Sequence, residues 1–247
     1  MPYPGGKAQS GVYQKIINQI PPHERYFEIF AGGGAVLLTK RPAKMSNIAV
    51  DIDARAAASL AKKIEVAGLP GANVICGDAI SFLKTTVFTP SDFVYADPPY
   101  LFETRAGGRR KIYTNEFGDV DEHRRLLIML LNLSCRVMIS GYWSSLYAEM
   151  LQSWRTVTFQ VRTRGGRMAD EWLWMNYPVP TELHDYRFLG ENFRERERLT
   201  RIRRRWVARL ERMQPKERYM LMAALEASSS SKHAINGEAE ALQGLPR

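Results

Sequence analysis

Of the 247 residues only two are cysteines, Cys76 and Cys135. That number excludes a disulfide framework and a cysteine-rich zinc site, and it fits a reducing compartment. Neither cysteine has surroundings that suggest a nucleophile, and no metal-ligand cluster is apparent. No apolar run approaches the roughly 18 residues that a membrane span needs. The first residues lack the basic, apolar and small-residue order of an export signal. A soluble cytoplasmic protein is therefore expected, without membrane or metal. Internal repeats are also lacking.

What is present is basic and able to build a core. Hydrophobic residues make up 45% of the chain, and the formal net charge is +9. The length suits one large domain, or one domain with an appendage. An excess of positive charge points to an anionic partner, of which nucleic acid is the commonest; a soluble protein with one basic face is the competing reading.

The stretch that organises the rest runs from Phe93 to Tyr100. Phe93-Val94-Tyr95-Ala96 is a short apolar run of the kind that forms a buried strand, and Asp97-Pro98-Pro99-Tyr100 ends it abruptly. The two prolines fix φ and remove two backbone donors, so carbonyls of Asp97 and Pro98 can face a cleft. A carboxylate beside such a carbonyl places two acceptors on one side, which suits a planar –NH2 group. Tyr100 adds a face for stacking a flat ring. A plain turn is the alternative for these four residues. Upstream, Tyr26 to Leu38 reads as strand, glycine-rich turn and helix start, the place where an α/β sheet brings its backbone close to a ligand.

Taken together, Phe-Ala-Gly-Gly-Gly at 30–34, Asp-Pro-Pro-Tyr at 97–100 and Pro-Tyr-Pro-Gly-Gly-Lys at 2–7 resemble three motifs of the Dam-like N6-adenine DNA methyltransferases. The resemblance covers about the first 180 residues. It implies an α/β fold, a Rossmann-like S-adenosylmethionine-dependent methyltransferase sheet flanked by helices. It implies methyl transfer to the exocyclic N6 of an adenine flipped out of DNA, by a monomer or weak dimer in a bacterial or phage-infected cell, with a restriction-modification setting in view. Catalytic roles fall on Asp97, Pro98, Pro99 and Tyr100. Cofactor contacts fall on Tyr3, Lys7, Phe30, Gly32, Gly34, Asp78 and Asp97, and Lys7 is also placed near the target nucleic acid.

The remaining elements follow in order. Val12, Ile16, Ile17 and Ile20 pattern a helix that Pro21-Pro22 ends. Ile48 to Asp53 reads as a second strand, and Asp51, about 20 residues past the glycines, is the candidate for holding a ribose hydroxyl. Asp53 caps the helix from Ala54 to Ala67. Val74 to Cys76 reads as a third strand; Asp78 after it serves either the adenine amino group, as the resemblance implies, or the N-terminus of the next helix. His123 is read as structural. Arg136 to Ser140 reads as a fifth strand, and segments 157–162 and 171–176 as an antiparallel pair closing the sheet. Trp172 and Trp174 share a face by period two, which favours packing.

Basic residues cluster at two loops. Arg105, Arg109, Arg110 and Lys111 lie beside Gly107 and Gly108, and Arg164 and Arg167 flank a hairpin tip. Contacts to phosphates or to an extruded base are one reading of these, and solvated loops the other. Residues 1–180 are read as the catalytic domain, 181–227 as a basic amphipathic helical extension and 228–247 as a disordered tail. In the extension Leu199, Ile202, Trp206, Leu210 and Met213 recur at helical spacing opposite an arginine-rich face. That face either holds nucleic acid or is merely solvated.

Two departures from the family pattern stand out. Only 18 residues separate Asp78 from Asp97, too few for the family's target-recognition segment, and Ile29 stands where proline is common. Specificity then rests on the two basic loops and the arginine-rich helix, or is weak. The alternatives are methylation of cytosine N4, methylation of adenine in RNA, and a nucleic-acid-binding subunit with a degenerate S-adenosylmethionine site.

Overall fold

The computed structural model describes residues 7, 11–105, 115–163 and 166–228. Seven strands form one sheet in the order β3-β2-β1-β4-β5-β7-β6. They are β1 (Arg25–Ile29), β2 (Ser46–Asp51), β3 (Ala72–Cys76), β4 (Asp92–Ala96), β5 (Arg136–Gly141), β6 (Arg155–Arg162) and β7 (Met168–Met175). The first five run parallel; β7 is antiparallel to both β5 and β6. The mixed α/β sheet expected from the sequence is thus present, with its closing antiparallel pair.

Helices connect and cover the strands: α1 (Val12–Ile17), α2 (Ala35–Thr39), α3 (Ala54–Ala67), α4 (Ala79–Thr85), α5 (Val120–Leu131) and α6 (Ser145–Met150). Most begin at a polar cap. The Asp53 carboxylate accepts from Arg55 N and Ala56 N at the start of α3, and Asp119 and Glu122 form a capping box on α5. β4 is buried at all five positions because both faces are covered. Phe93 and Tyr95 join Tyr26, Met138 and α1 in one core, while Val94 and Ala96 join Ile29, Ile139 and Leu126, Leu127 and Leu130 of α5 in the other. The strand order reverses at β1, between β2 and β4. The carboxyl ends of those three strands therefore open onto a crevice, the usual ligand position in open α/β sheets.

This unit runs on to Asn192, beyond the boundary at 180 expected from composition. Residues 184–188 are tied to the chain just after α1 and to the end of α2: His184 N–H donates to Ile20 O at 2.9 Å, Asn18 Nδ2 donates to Phe188 O at 2.8 Å, and Arg187 Nη2 donates to Thr39 O at 2.7 Å. A second unit begins at Phe193. It contains α7 (Phe193–Arg212), in which no residue is buried, and α8, helical over 215–228.

Candidate functional site

The crevice is lined by the glycine loop (Phe30 to Gly33), the end of β2 (Asp51 to Asp53), the β3–α4 turn (Gly77 to Ala79), the loop after β4 (Asp97 to Tyr100), and Lys7 with Asn115 to Phe117. The three regions singled out from the sequence therefore converge.

The glycine loop leaves β1 sharply. Phe30 takes φ 60, a value uncommon for a side-chain-bearing residue, and Gly32 and Gly34 follow with φ 51 and 66. A Cβ on Gly34 would also collide with the end of the Leu60 side chain, so glycine suits both the backbone and the packing here. The loop is tied from two sides. Asp51 Oδ2 accepts from Gly32 N–H at 2.6 Å and Oδ1 from Asp53 N–H at 2.8 Å. Glu28, buried in β1, accepts from Leu37 N–H at 2.7 Å and from the Tyr26 hydroxyl at 2.9 Å, and burial pushes its pKa up to about 7. Asp51 thus braces the loop, with lone pairs left over on each oxygen. Asp78 caps α4 through Ser81 N–H at 2.8 Å, the second of its two readings, and it also lines the crevice.

The loop after β4 is held at almost every backbone handle. Asp97 N–H donates to Ile29 O at 3.3 Å, the Pro99 carbonyl accepts from His123 Nε2 at 3.0 Å, and the Tyr100 carbonyl accepts from Arg105 Nε at 2.8 Å. His123 has Nε2 facing two carbonyls, of Pro99 and Phe117, and Nδ1 facing the Tyr147 hydroxyl at 2.8 Å. Nε2 must therefore carry the proton and Nδ1 accept, and burial lowers the pKa to about 4. The structural reading of His123 holds.

Behind the loop lies a buried charge cluster. Lys7 Nζ is 2.8 Å from Asp97 Oδ1 and 2.8 Å from Glu171 Oε1, and it donates to the Tyr100 hydroxyl. That hydroxyl in turn donates to Glu171 at 2.8 Å, and Ser140 Oγ donates to Asp97 Oδ1 at 2.8 Å. Burial alone would lower the Lys7 pKa, but the Asp97 and Glu171 carboxylates outweigh it and hold the ammonium protonated. Burial raises the Glu171 pKa, opposed by Lys7. Asp97 keeps 19% of its side chain exposed, against 6% for Lys7 and 2% for Glu171. The Tyr100 ring packs against Tyr142 with centroids 4.2 Å apart, and Trp143, beside it, is 54% exposed.

Several expectations shift. Lys7, expected near both cofactor and nucleic acid, lines the crevice as a buried cation paired with the Asp97 carboxylate. Arg105, expected at phosphates, is 5% exposed. Its guanidinium pairs with Glu116 at 2.8 Å and packs on Phe102 at 4.7 Å, because a cation emerging from a buried turn needs a local counter-charge. Arg167 is exposed beside the β6–β7 turn, where its carbonyl accepts from Thr163 N–H at 2.8 Å. Tyr3, Arg109, Arg110, Lys111 and Arg164 lie outside the described residues. Trp174 is buried and Trp172 half-buried, 5.8 Å apart, as the period-two reading requires.

Sequence reasoning missed Glu171, Ser140 and Tyr142. Glu171 carried a signal: it shares the inward period-two face of β7 with Leu173 and Met175, and an acid among core positions implies a buried partner. Ser140 and Tyr142 carried none. They matter because the β4–β5 pairing sets β5 beside the strand that leads into Asp97.

A family model described as conserved hypothetical protein 95 matches residues 6–112, the span that holds Lys7, the glycine loop and Asp97 to Tyr100. No curated protein matches significantly. Similar solved structures include a precorrin 8W decarboxylase from Methanobacterium thermoautotrophicum, 13% identical over 70% of this chain and 91% of that one, TM-score 0.45. An S-adenosylmethionine-dependent methyltransferase from Agrobacterium tumefaciens is 17% identical over 67% of this chain and 60% of that one, TM-score 0.45. A dimethyladenosine transferase from Plasmodium falciparum is 17% identical over 66% of this chain and 60% of that one, TM-score 0.44.

Proposed function

We propose that the chain is an S-adenosylmethionine-dependent methyltransferase acting on the exocyclic N6 of a DNA adenine extruded from its duplex. The observation that carries this reading is a pair of neighbouring acceptors left open on an otherwise secured loop. Asp97 Oδ1 is held by Lys7 and Ser140, and the Pro99 and Tyr100 carbonyls are taken. Among the described residues no donor reaches Asp97 Oδ2 or the Pro98 carbonyl. Two acceptors and no donor match an –NH2 group with its two hydrogens.

The donor set of the crevice fits the cofactor. Asp51 offers acceptors for ribose hydroxyls, Asp78 one for an adenine amino group, and Phe30, Phe117 and the half-exposed Ile52 offer apolar surface for a flat ring. Bound there, the cofactor supplies a methyl group on a positively charged sulfur. The chain's own part is to make the amine nucleophilic. An aromatic amine shares its lone pair with the ring; accepting both N–H hydrogens, at Asp97 Oδ2 and the Pro98 carbonyl, localises it on nitrogen. The proton that nitrogen sheds after attack then has an acceptor already bonded to it. Fixing the loop orients the reacting groups, and good orientation is worth effective molarities on the order of 10⁵ M or more. Tyr100, which lines the crevice beside Asp97 and packs on Tyr142, supplies aromatic surface to offset unstacking, at ~1–3 kcal/mol per stacked base. No covalent intermediate on the protein is needed.

The test is transfer of tritiated methyl from S-adenosylmethionine to DNA duplexes with and without adenine, and to matched RNA, followed by nucleoside analysis. Label in N6-methyladenine from DNA is the expected result, abolished in Asp97→Ala while cofactor binding persists. Label in N4-methylcytosine or in RNA would replace the substrate; unimpaired turnover by Asp97→Ala would end the reading altogether.

A further inference from the structure

The arginine-rich helix contributes nothing to the crevice chemistry, yet its charges are ordered. In α7 (Phe193–Arg212) Arg194, Arg198, Arg201, Arg205, Arg209 and Arg212 recur at intervals of 4, 3, 4, 4 and 3. At about 100° per residue these six fall within an arc of about 80°. All six are exposed, whereas Leu199, Ile202 and Leu210, on the adjoining arc, are half-covered. The three glutamates of the helix, Glu195, Glu197 and Glu211, lie outside the arginine arc. Of these only Glu195 approaches a stripe arginine, Arg198, at 3.9 Å. The result is a straight, nearly unneutralised cationic rail about 27 Å long, from 18 residues at about 1.5 Å each.

We propose that this rail docks the sugar-phosphate backbone of duplex DNA, holding the substrate independently of its sequence; the choice of DNA rests on the function proposed above. Charge complementarity carries the proposal. Duplex DNA presents one negative charge per ~1.7 Å of axis, so the rail spans about 8 base pairs of phosphates. Its composition is specific as well: α7 holds nine arginines and no lysine. Solubility alone would be served by either cation, whereas guanidinium forks match phosphate oxygens in pairs. A helix about 10–12 Å across also fits against the major groove of B-form DNA, ~12 Å wide, and is excluded from the deep, narrow major groove of A-form RNA. The apolar arc is mixed, with Leu199, Ile202 and Leu210 half-covered and Trp206 54% exposed, so anionic vesicles are the control that separates a membrane-surface helix from the rail.

The experiment uses the full chain and a fluorescein-labelled 20-base-pair DNA duplex, with affinity measured by anisotropy from 50 to 200 mM salt and no cofactor added. Arg201→Gln/Arg205→Gln/Arg209→Gln removes three stripe charges. Arg196→Gln/Arg203→Gln/Arg204→Gln removes three from other faces of the same helix. The stripe variant is expected to flatten the slope of log K against log salt by about 3, at ~0.9 per lost phosphate contact. The off-stripe variant is expected to keep the wild-type slope. Equal slopes in wild type and stripe variant, or equal flattening in both variants, would overturn the rail. So would a loss confined to an RNA duplex of the same sequence or to anionic vesicles. Because binding is read without methyl transfer, a chain that methylates nothing but shows the slope change keeps the rail and loses the proposed activity. A chain that methylates DNA with an unchanged slope does the reverse.

Discussion

At the scale of single residues, the site is decided by which groups already have partners. Glu171 is buried, yet it accepts from Lys7 and from the Tyr100 hydroxyl, so it fixes at once the cation behind Asp97 and the aromatic ring in front of it. Glu171→Gln keeps the shape and removes the charge. It should lower kcat by at least tenfold while leaving the KM for S-adenosylmethionine within about twofold, because the cofactor's side of the crevice is untouched. Thermal unfolding should report a loss of about 3 kcal/mol, the scale for breaking a buried pair. His123 gives a prediction in pH. Its pKa is near 4 folded against 6.5 unfolded, so between those values the unfolded chain binds the extra proton and stability rises with pH. Wild type should lose about 3 kcal/mol on acidification from pH 7 to 4 through this residue alone. In His123→Gln that part of the pH dependence of Tm should vanish.

At the scale of elements, the strands and helices were legible because their cores are regular. The helix read as Ala54 to Ala67 runs over those residues, between the Asp53 cap and Gly68 at φ 58. β4, a run without alternation, is the fully covered strand it was read to be. What could not be read was lateral order. Nothing in the sequence of β5 announces that Ser140 reaches Asp97, since that depends on register between segments over 40 residues apart. Solvation was equally hidden: Lys7 and Arg105 read as surface cations because the acids that bury them, Glu171 and Glu116, are supplied by folding. The glycine turn shows the legible kind of constraint. Gly34→Ala meets both a φ of 66 and Leu60, and it should cost ~1–3 kcal/mol and weaken cofactor affinity measured by calorimetry, whereas Ala substitution at Gly33 should cost less.

At the scale of the whole molecule, both apolar cores are built, among the described residues, from residues between Val12 and Phe188. A chain ending at Asn192 should therefore unfold cooperatively, with a Tm within a few degrees of the full chain, and should still bind S-adenosylmethionine. Loss of cooperative unfolding in that fragment would show that the helices after Phe193 are needed to hold the sheet.

The ion pairs of Lys7 also bear on how the protein is made. The cation lies near the start of the chain, one of its carboxylates follows the fourth strand, and the other sits in the last strand laid down. During synthesis, residue 7 leaves the ribosome long before residue 171, at ~5–20 residues per second. Any nascent chain shorter than β7 has the glycine turn and the Asp-Pro-Pro-Tyr loop, but lacks the second counter-charge that lets Lys7 be buried. The Lys7–Asp97–Glu171 arrangement is thereby withheld until the first unit is almost entirely translated, so a prematurely terminated product would carry the recognisable motifs without that cluster.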